Sequence, residues 1–108
     1  MDAWELEELI RNRGELDRPH VEFQRSSHLS TGLYVLSAGG TDRQQPHTED
    51  AVYVVLSGQA GITVGLEERL VGPGSIVFVA AGVAHRFHHI LDELRVLVVF
   101  GPAEAARD

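Results

Sequence analysis

The side chains best suited to chemistry in this chain are six histidines: His20, His28, His47, His85, His88 and His89. Neutral imidazole is a general base and a ligand for borderline metal ions. Two of the six stand in informative surroundings. His47 sits in Gln44-Gln45-Pro46-His47-Thr48-Glu49-Asp50, directly ahead of a Val- and Tyr-rich run. In an extended segment, side chains at i and i+2 point the same way, so His47 and Glu49 can grip one ion between them. Pro46 biases Gln45 towards an extended conformation, which turns the Gln45 amide oxygen to the same side. His85 opens the alternating run His85-Arg86-Phe87-His88-His89. Parity places His85, Phe87 and His89 on one face, with Arg86 and His88 on the other. The competing account makes Glu49 and Asp50 solvated loop acids and His85 a hydrogen-bonded core residue. His88 is expected at the surface. So are His20 and His28, which belong to no motif. Tyr34 and Tyr53 read as core aromatics with a hydroxyl at the edge.

Composition removes several other chemistries. The chain has no Cys, so disulfides, thiol nucleophiles, thiolate zinc sites and iron–sulfur clusters are excluded. Its nine basic residues are all Arg, so no lysine can form a Schiff base or serve a P-loop. Sixteen acids against those nine arginines give a formal charge of −7, which argues against nucleic-acid partners and anionic membrane surfaces. The start Met-Asp-Ala-Trp-Glu-Leu-Glu-Glu lacks the basic and apolar character of a signal peptide, and Val96–Phe100 is far too short to span a bilayer. A soluble, cytoplasmic protein is expected.

The elements that must position these residues follow from periodicity. The length of 108 residues suits one domain with one core. Residues 2–13 have a helical period, with Trp4, Leu6, Leu9 and Ile10 near one stripe. Asp2 serves as the expected N-cap, Glu5 as its capping-box partner and Gly14 as the stop. From residue 20 the period becomes two. Strands are expected at 21–25, 33–37, 51–57, 60–64, 68–71, 75–79, 85–90 and 94–100, separated by turn signals such as Gly72-Pro73-Gly74. The expected organisation is an N-terminal helix (1–14), a β-barrel domain (20–101) and a frayed tail (102–108). Many short strands without intervening helices indicate an all-β sandwich or barrel.

Two stretches, 39–58 and 72–89, resemble the paired motifs of the cupin superfamily. The first motif runs Gly, five residues, His, any, His, three or four residues, Glu, six residues, Gly. Here Gly39, Gln45, His47, Ala51 and Gly58 take those places. The second runs Gly, five residues, Pro, any, Gly, two residues, His, three residues, Asn. Here Gly74, Ala80, Gly82, His85 and His89 take them. The resemblance covers about residues 31–100, and the flanking text is similar to that of small actinobacterial-type cupin-domain proteins. It implies an all-β, single-domain cupin: an antiparallel double-sheet barrel of jelly-roll type with one N-terminal helix. Metal-binding cupins use three His and one Glu, and this chain departs from that set at Gln45 and Ala51. The resemblance therefore implies a divalent metal (zinc, iron, manganese or nickel) held by His47 and His85; the spacing adds Glu49 as third ligand, and Gln45 as a fourth ligand or a substrate contact. Tyr53, Phe87 and His89 are the expected lining of a pocket for a small organic molecule. Dioxygenase or isomerase chemistry is what the family suggests. The alternative is a non-catalytic binding barrel that has lost the full ligand set, which Ala51 favours. A homodimer is expected, because an apolar helix stripe and a free strand edge need cover.

Overall fold

The computed structural model describes residues 1–13 and 19–105. One helix, α1 (Leu6–Arg13), precedes eight strands: β1 (His20–Arg25), β2 (Ser30–Leu36), β3 (Asp50–Ser57), β4 (Ala60–Val64), β5 (Glu67–Val71), β6 (Ile76–Val79), β7 (His85–His88) and β8 (Leu94–Gly101). They form two antiparallel sheets, one ordered β1-β2-β8-β3-β6 and the other β5-β4-β7. Among the described residues, no helix is long and apolar enough to cross a membrane.

The strands form because their residues alternate and are rich in β-branched and aromatic types. β8 shows this most cleanly: Leu94, Val96, Val98 and Phe100 point inward and are fully buried, while the residues between them are partly exposed. Facing them across the barrel are Ile62 and Phe87 from the second sheet, and Tyr53 and Val55 complete the same core. Each such buried side chain contributes roughly 1.5–3 kcal/mol of hydrophobic stabilisation. The β3–β4 turn depends on Gly58, which has φ +91°. A Cβ there would lie 2.3 Å from the Glu93 carbonyl oxygen, so the close approach of the β7–β8 loop requires glycine.

The helix starts later than the Asp2 reading places it. Glu8 and Leu9 donate their N–H groups to the Glu5 carbonyl, so the first turn is built on Glu5. Trp4 stays ahead of the helix and packs edge-on against Phe23 of β1, with ring centroids 5.2 Å apart. Acidic Glu7 and Glu8 in the first turn and basic Arg11 and Arg13 in the last suit the helix dipole. Gly14, the expected stop, lies outside the described residues.

The tail is tied down as far as Ala105, against the expectation that it frays. The Glu104 N–H donates to Ser30 Oγ at 2.8 Å, and the Ala105 N–H donates to Glu49 Oε2 at 3.3 Å. Residues 106–108 of that segment lie outside the described residues.

Candidate functional site

One end of the barrel gathers polar side chains from five places in the chain. The segment 37–49 supplies Asp42, Gln44, His47 and Glu49. It is pinned from the far side of the fold: Gly82 N–H donates to the His47 carbonyl at 2.6 Å, and Ala81 N–H donates to Asp50 Oδ1 at 2.8 Å. These bonds tie the first motif to the turn between β6 and β7 that carries the second. β1 supplies His20, β3 Tyr53, β7 His85, and the segment after β8 Glu104.

His47 and Glu49 are both buried, and with Glu104 they form the centre of this group. One ligand atom from each of the three lies within 4.8 Å of the other two. Nδ1 of His47 is 3.0 Å from Glu104 Oε2, while its Nε2 is buried with no hydrogen-bond partner. The His47 ring rests edge-on against Phe100, centroid to centroid 4.7 Å. Glu49 also accepts a hydrogen bond from the Thr48 hydroxyl. Two carboxylates converging in a sheltered place repel each other, and a cation between them offsets that cost. One imidazole and two carboxylates, with a buried imidazole nitrogen left unsatisfied, fit a first-row divalent ion and leave positions open for further oxygen ligands.

His85 stands beside this group, its ring centroid 5.1 Å from that of His47. Its nitrogens are engaged otherwise. Nδ1 lies 3.0 Å from the Val83 carbonyl, which can only accept, so Nδ1 carries the proton in the neutral ring. That leaves Nε2 as an acceptor, 2.9 Å from the Tyr53 hydroxyl. Burial holds the His85 pKa below its ordinary value, with the Val83 hydrogen bond opposing it, so the ring is neutral near pH 7. Burial also pushes the Tyr53 pKa well up, which keeps its O–H protonated. That one proton serves two acceptors, because Gln44 Oε1 is 2.8 Å from the same hydroxyl. Gln44 is oriented in turn by buried Asp42, which takes its side-chain N–H at 2.6 Å and also the Phe87 backbone N–H at 2.8 Å.

Several residues lie elsewhere than the sequence suggests. Gln45 is exposed, and its neighbour Gln44 turns inward, because the segment around Pro46 does not keep the strand alternation on which the Gln45 reading rests. Phe87 is fully buried in the core, packed edge-on against Tyr53 at 5.8 Å. His89 is exposed: β7 ends at His88 and the chain turns at His89 with φ +49°, so the alternation stops one residue short. His88, expected at the surface, is buried on the outer sheet face because its cross-strand partner is Gly61, which leaves room for the ring. His20, also expected at the surface, is half-buried on the inner face. It pairs across the strands with Tyr34 and stacks on that ring at 4.9 Å, lying over Gly32 where a Cβ would meet its Nε2 at 2.1 Å. Burial lowers its pKa, against the opposing pull of Glu104 and Glu22.

Sequence reasoning missed Glu104, His20, Gln44 and Asp42. Nothing in the small polar tail marks Glu104. Of two surface clefts, the smaller borders the site. It has a volume of about 240 Å³ and is lined by Asp42, Gln44, Pro46, Thr63, His85 and Arg86. A larger one of about 310 Å³ opens between the edges of β5 and β6, and none of the histidines lines it.

Comparison with known proteins agrees with this architecture. The Cupin domain family matches residues 32–100, and the chain belongs to that family. It is 53% identical to an uncharacterized protein of Streptomyces coelicolor, SCO3923, over 97% of this chain and 100% of that one. It is 35% identical to a Mycobacterium tuberculosis protein named beta-D-galactosidase Rv1717, over 72% of this chain and 67% of the relative. Among solved structures, the TT1209 protein from Thermus thermophilus superposes with a TM-score of 0.77 at 30% identity, covering 95% of this chain and 99% of the other.

Proposed function

We propose that this cupin barrel binds one first-row divalent metal ion through His47, Glu49 and Glu104, and presents it to a small organic ligand. The convergence of those three ligand sets within 4.8 Å carries the reading. The ion would polarise an oxygen of the ligand as a Lewis acid. His85 lines the smaller cleft beside the centre, with buried Tyr53 behind it holding its Nε2, and Asp42 and Gln44 supply the polar groups beside it in that cleft. The smaller cleft suits the ligand better than the larger because, of the two, it alone is lined by His85. Given the mycobacterial relative's name, a β-galactoside is the first ligand class to test. The test is metal analysis of protein prepared without chelator, together with calorimetric titration of manganese and zinc. One bound equivalent, lost in His47→Ala with the β spectrum retained, supports the reading. A folded protein that takes up neither ion overturns it.

A second reading rests on a different observation. Nε2 of His85 is engaged by Tyr53, and Ala51 offers no lone pair at the usual Glu position of the motif. Both favour a barrel that binds a small molecule without metal. In that case ligand binding survives chelator treatment, whereas the metal reading requires that it does not.

We also propose a homodimer through the outer face of the larger sheet. Ile76 and Phe78 of β6 are exposed there beside partly exposed Val52 and Val54 of β3, and among the described residues no strand pairs with the outer edge of β6.

A further inference from the structure

The two adjacent histidines at the end of β7 lie outside the barrel centre and have a geometry of their own. Consecutive strand residues point to opposite faces, so the rings of His88 and His89 should lie apart. Instead, His89 takes a left-handed backbone conformation, φ +49°, that residues other than glycine rarely adopt. The turn brings the two rings together, with Nδ1 of His88 2.6 Å from Nδ1 of His89. The planes cross at 80°, so the ring nitrogens face each other edge to edge and the rings do not stack.

The other nitrogen of His88 is held. Its Nε2 lies 2.8 Å from Thr63 Oγ1 and 3.4 Å from Glu68 Oε1. A carboxylate only accepts, so Nε2 carries the proton and Nδ1 keeps its lone pair. This is the arrangement that fixes a metal-binding imidazole: one nitrogen donates to an oxygen and the other presents its lone pair, which in the metal-free protein accepts the Nδ1–H of His89. A bound ion replaces that proton, and neutral His89 then carries its proton on Nε2. The ring is also immobilised. It fills the space above Gly61, where any Cβ would lie 2.6 Å from His88 Cε1. Glu68 supplies negative charge on this face, and Arg86, two positions before His88 on the same strand and face, partly offsets it.

We propose that His88 and His89 form a second metal site on the outer sheet face, binding a borderline divalent ion, copper(II) above nickel(II) or zinc(II), through their two Nδ1 atoms. Imidazole suits these ions, and copper(II) stands highest among them in intrinsic affinity. At metal–nitrogen distances of about 2.0–2.1 Å, a bite near 90° needs the nitrogens ~0.3 Å further apart than they are here. His88 is fixed, but exposed His89 is free to give that distance. Water completes the coordination from the open side. The site is independent of the barrel centre, since neither histidine contributes to it.

The experiment removes the barrel set first. Copper(II) is titrated calorimetrically into His47→Ala, and the bound ion is examined by electron paramagnetic resonance. The same is done with His47→Ala/His89→Asn, since Asn tolerates the left-handed conformation. If His47→Ala fails to fold, Glu49→Gln/Glu104→Gln serves as the background. The expected result is one equivalent of copper with a two-nitrogen spectrum. Asn at 89 should weaken binding by more than about tenfold, since losing even an outer partner of a ligand costs roughly 10–100-fold, and should remove one nitrogen from the spectrum. No binding in the parent background, or equal affinity and an unchanged spectrum with Asn at 89, overturns the site.

Discussion

Glu104 Oε2 lies 3.0 Å from Nδ1 of His47, so a residue beyond the last strand meets one placed before β3. The contact is anchored on both sides. The His47 backbone is bonded to Gly82, and the Glu104 N–H is bonded to Ser30 Oγ at the start of β2. β8 runs between β2 and β3, so the chain leaving β8 emerges beside both. The carboxylate that the family motif places on β3 is absent at Ala51, and a carboxylate from the C-terminal segment enters the same region.

Glu104→Gln should therefore weaken manganese or zinc binding by at least about tenfold while leaving the fold intact, because it removes an anionic ligand and keeps the backbone bond to Ser30. Calorimetric titration of parent and variant measures this. Equal affinities would remove Glu104 from the ligand set.

The fold was legible because its signals are local. Alternation in β3 and β8, the Gly72-Pro73-Gly74 turn and the motif glycines each speak for themselves within a few residues. The candidate site was legible only where it shares that locality. His47 and Glu49 lie two apart in one segment, and both are buried. Glu104 is brought to them by the path of β8, which no short window of sequence contains. Gln44 and Gln45 exchange places because a loop pinned by Asp42 has no strand parity. His88 and His89 exchange burial because Gly61 opens a niche across the sheet and φ at residue 89 turns positive. In each case a partner distant in sequence decides the outcome.

Stability of the metal-free protein should fall as pH drops below about 6.5. Burial lowers the pKa of both His85 and His20, so the unfolded chain takes up their protons first. A group whose folded pKa is depressed contributes stability above its unfolded pKa and loses it as pH falls towards its folded value. Urea unfolding between pH 7.5 and 5 in the presence of chelator reads this as a falling midpoint, and His85→Gln should flatten the dependence. A midpoint constant over that window would contradict the sign.

The outer face of the larger sheet should mediate self-association. Ile76 is 70% exposed and Phe78 60% exposed, on a face that Val52 and Val54 continue. A second copy of the same face would cover these residues, and a two-fold pairing is the commonest way for one chain to do so. Light scattering should return twice the chain mass for the parent and the single-chain mass for Phe78→Asp, with far-ultraviolet spectra alike. A parent that stays monomeric at high concentration excludes the interface.

Ala51→Glu separates the two readings of the barrel. Ala51 is 2% exposed, points inward on β3 and pairs across the sheet with Phe100, the ring on which His47 rests. A glutamate there reaches the region of His47, Glu49 and Glu104. In a barrel that holds a divalent ion, the new carboxylate adds an anionic oxygen donor, and affinity rises. In a barrel that holds none, it joins two existing carboxylates in a sheltered place. That costs about 1–3 kcal/mol or drives the group to stay protonated. The two effects are opposite in sign and appear in one measurement: thermal melting of parent and variant, each with and without added manganese or zinc. The metal reading expects a variant less stable than the parent without metal, and a larger upward shift in its Tm than the parent shows when metal is added. A variant destabilised to the same degree in both conditions would show that position 51 faces no metal ion, and would leave the barrel to its organic ligand alone.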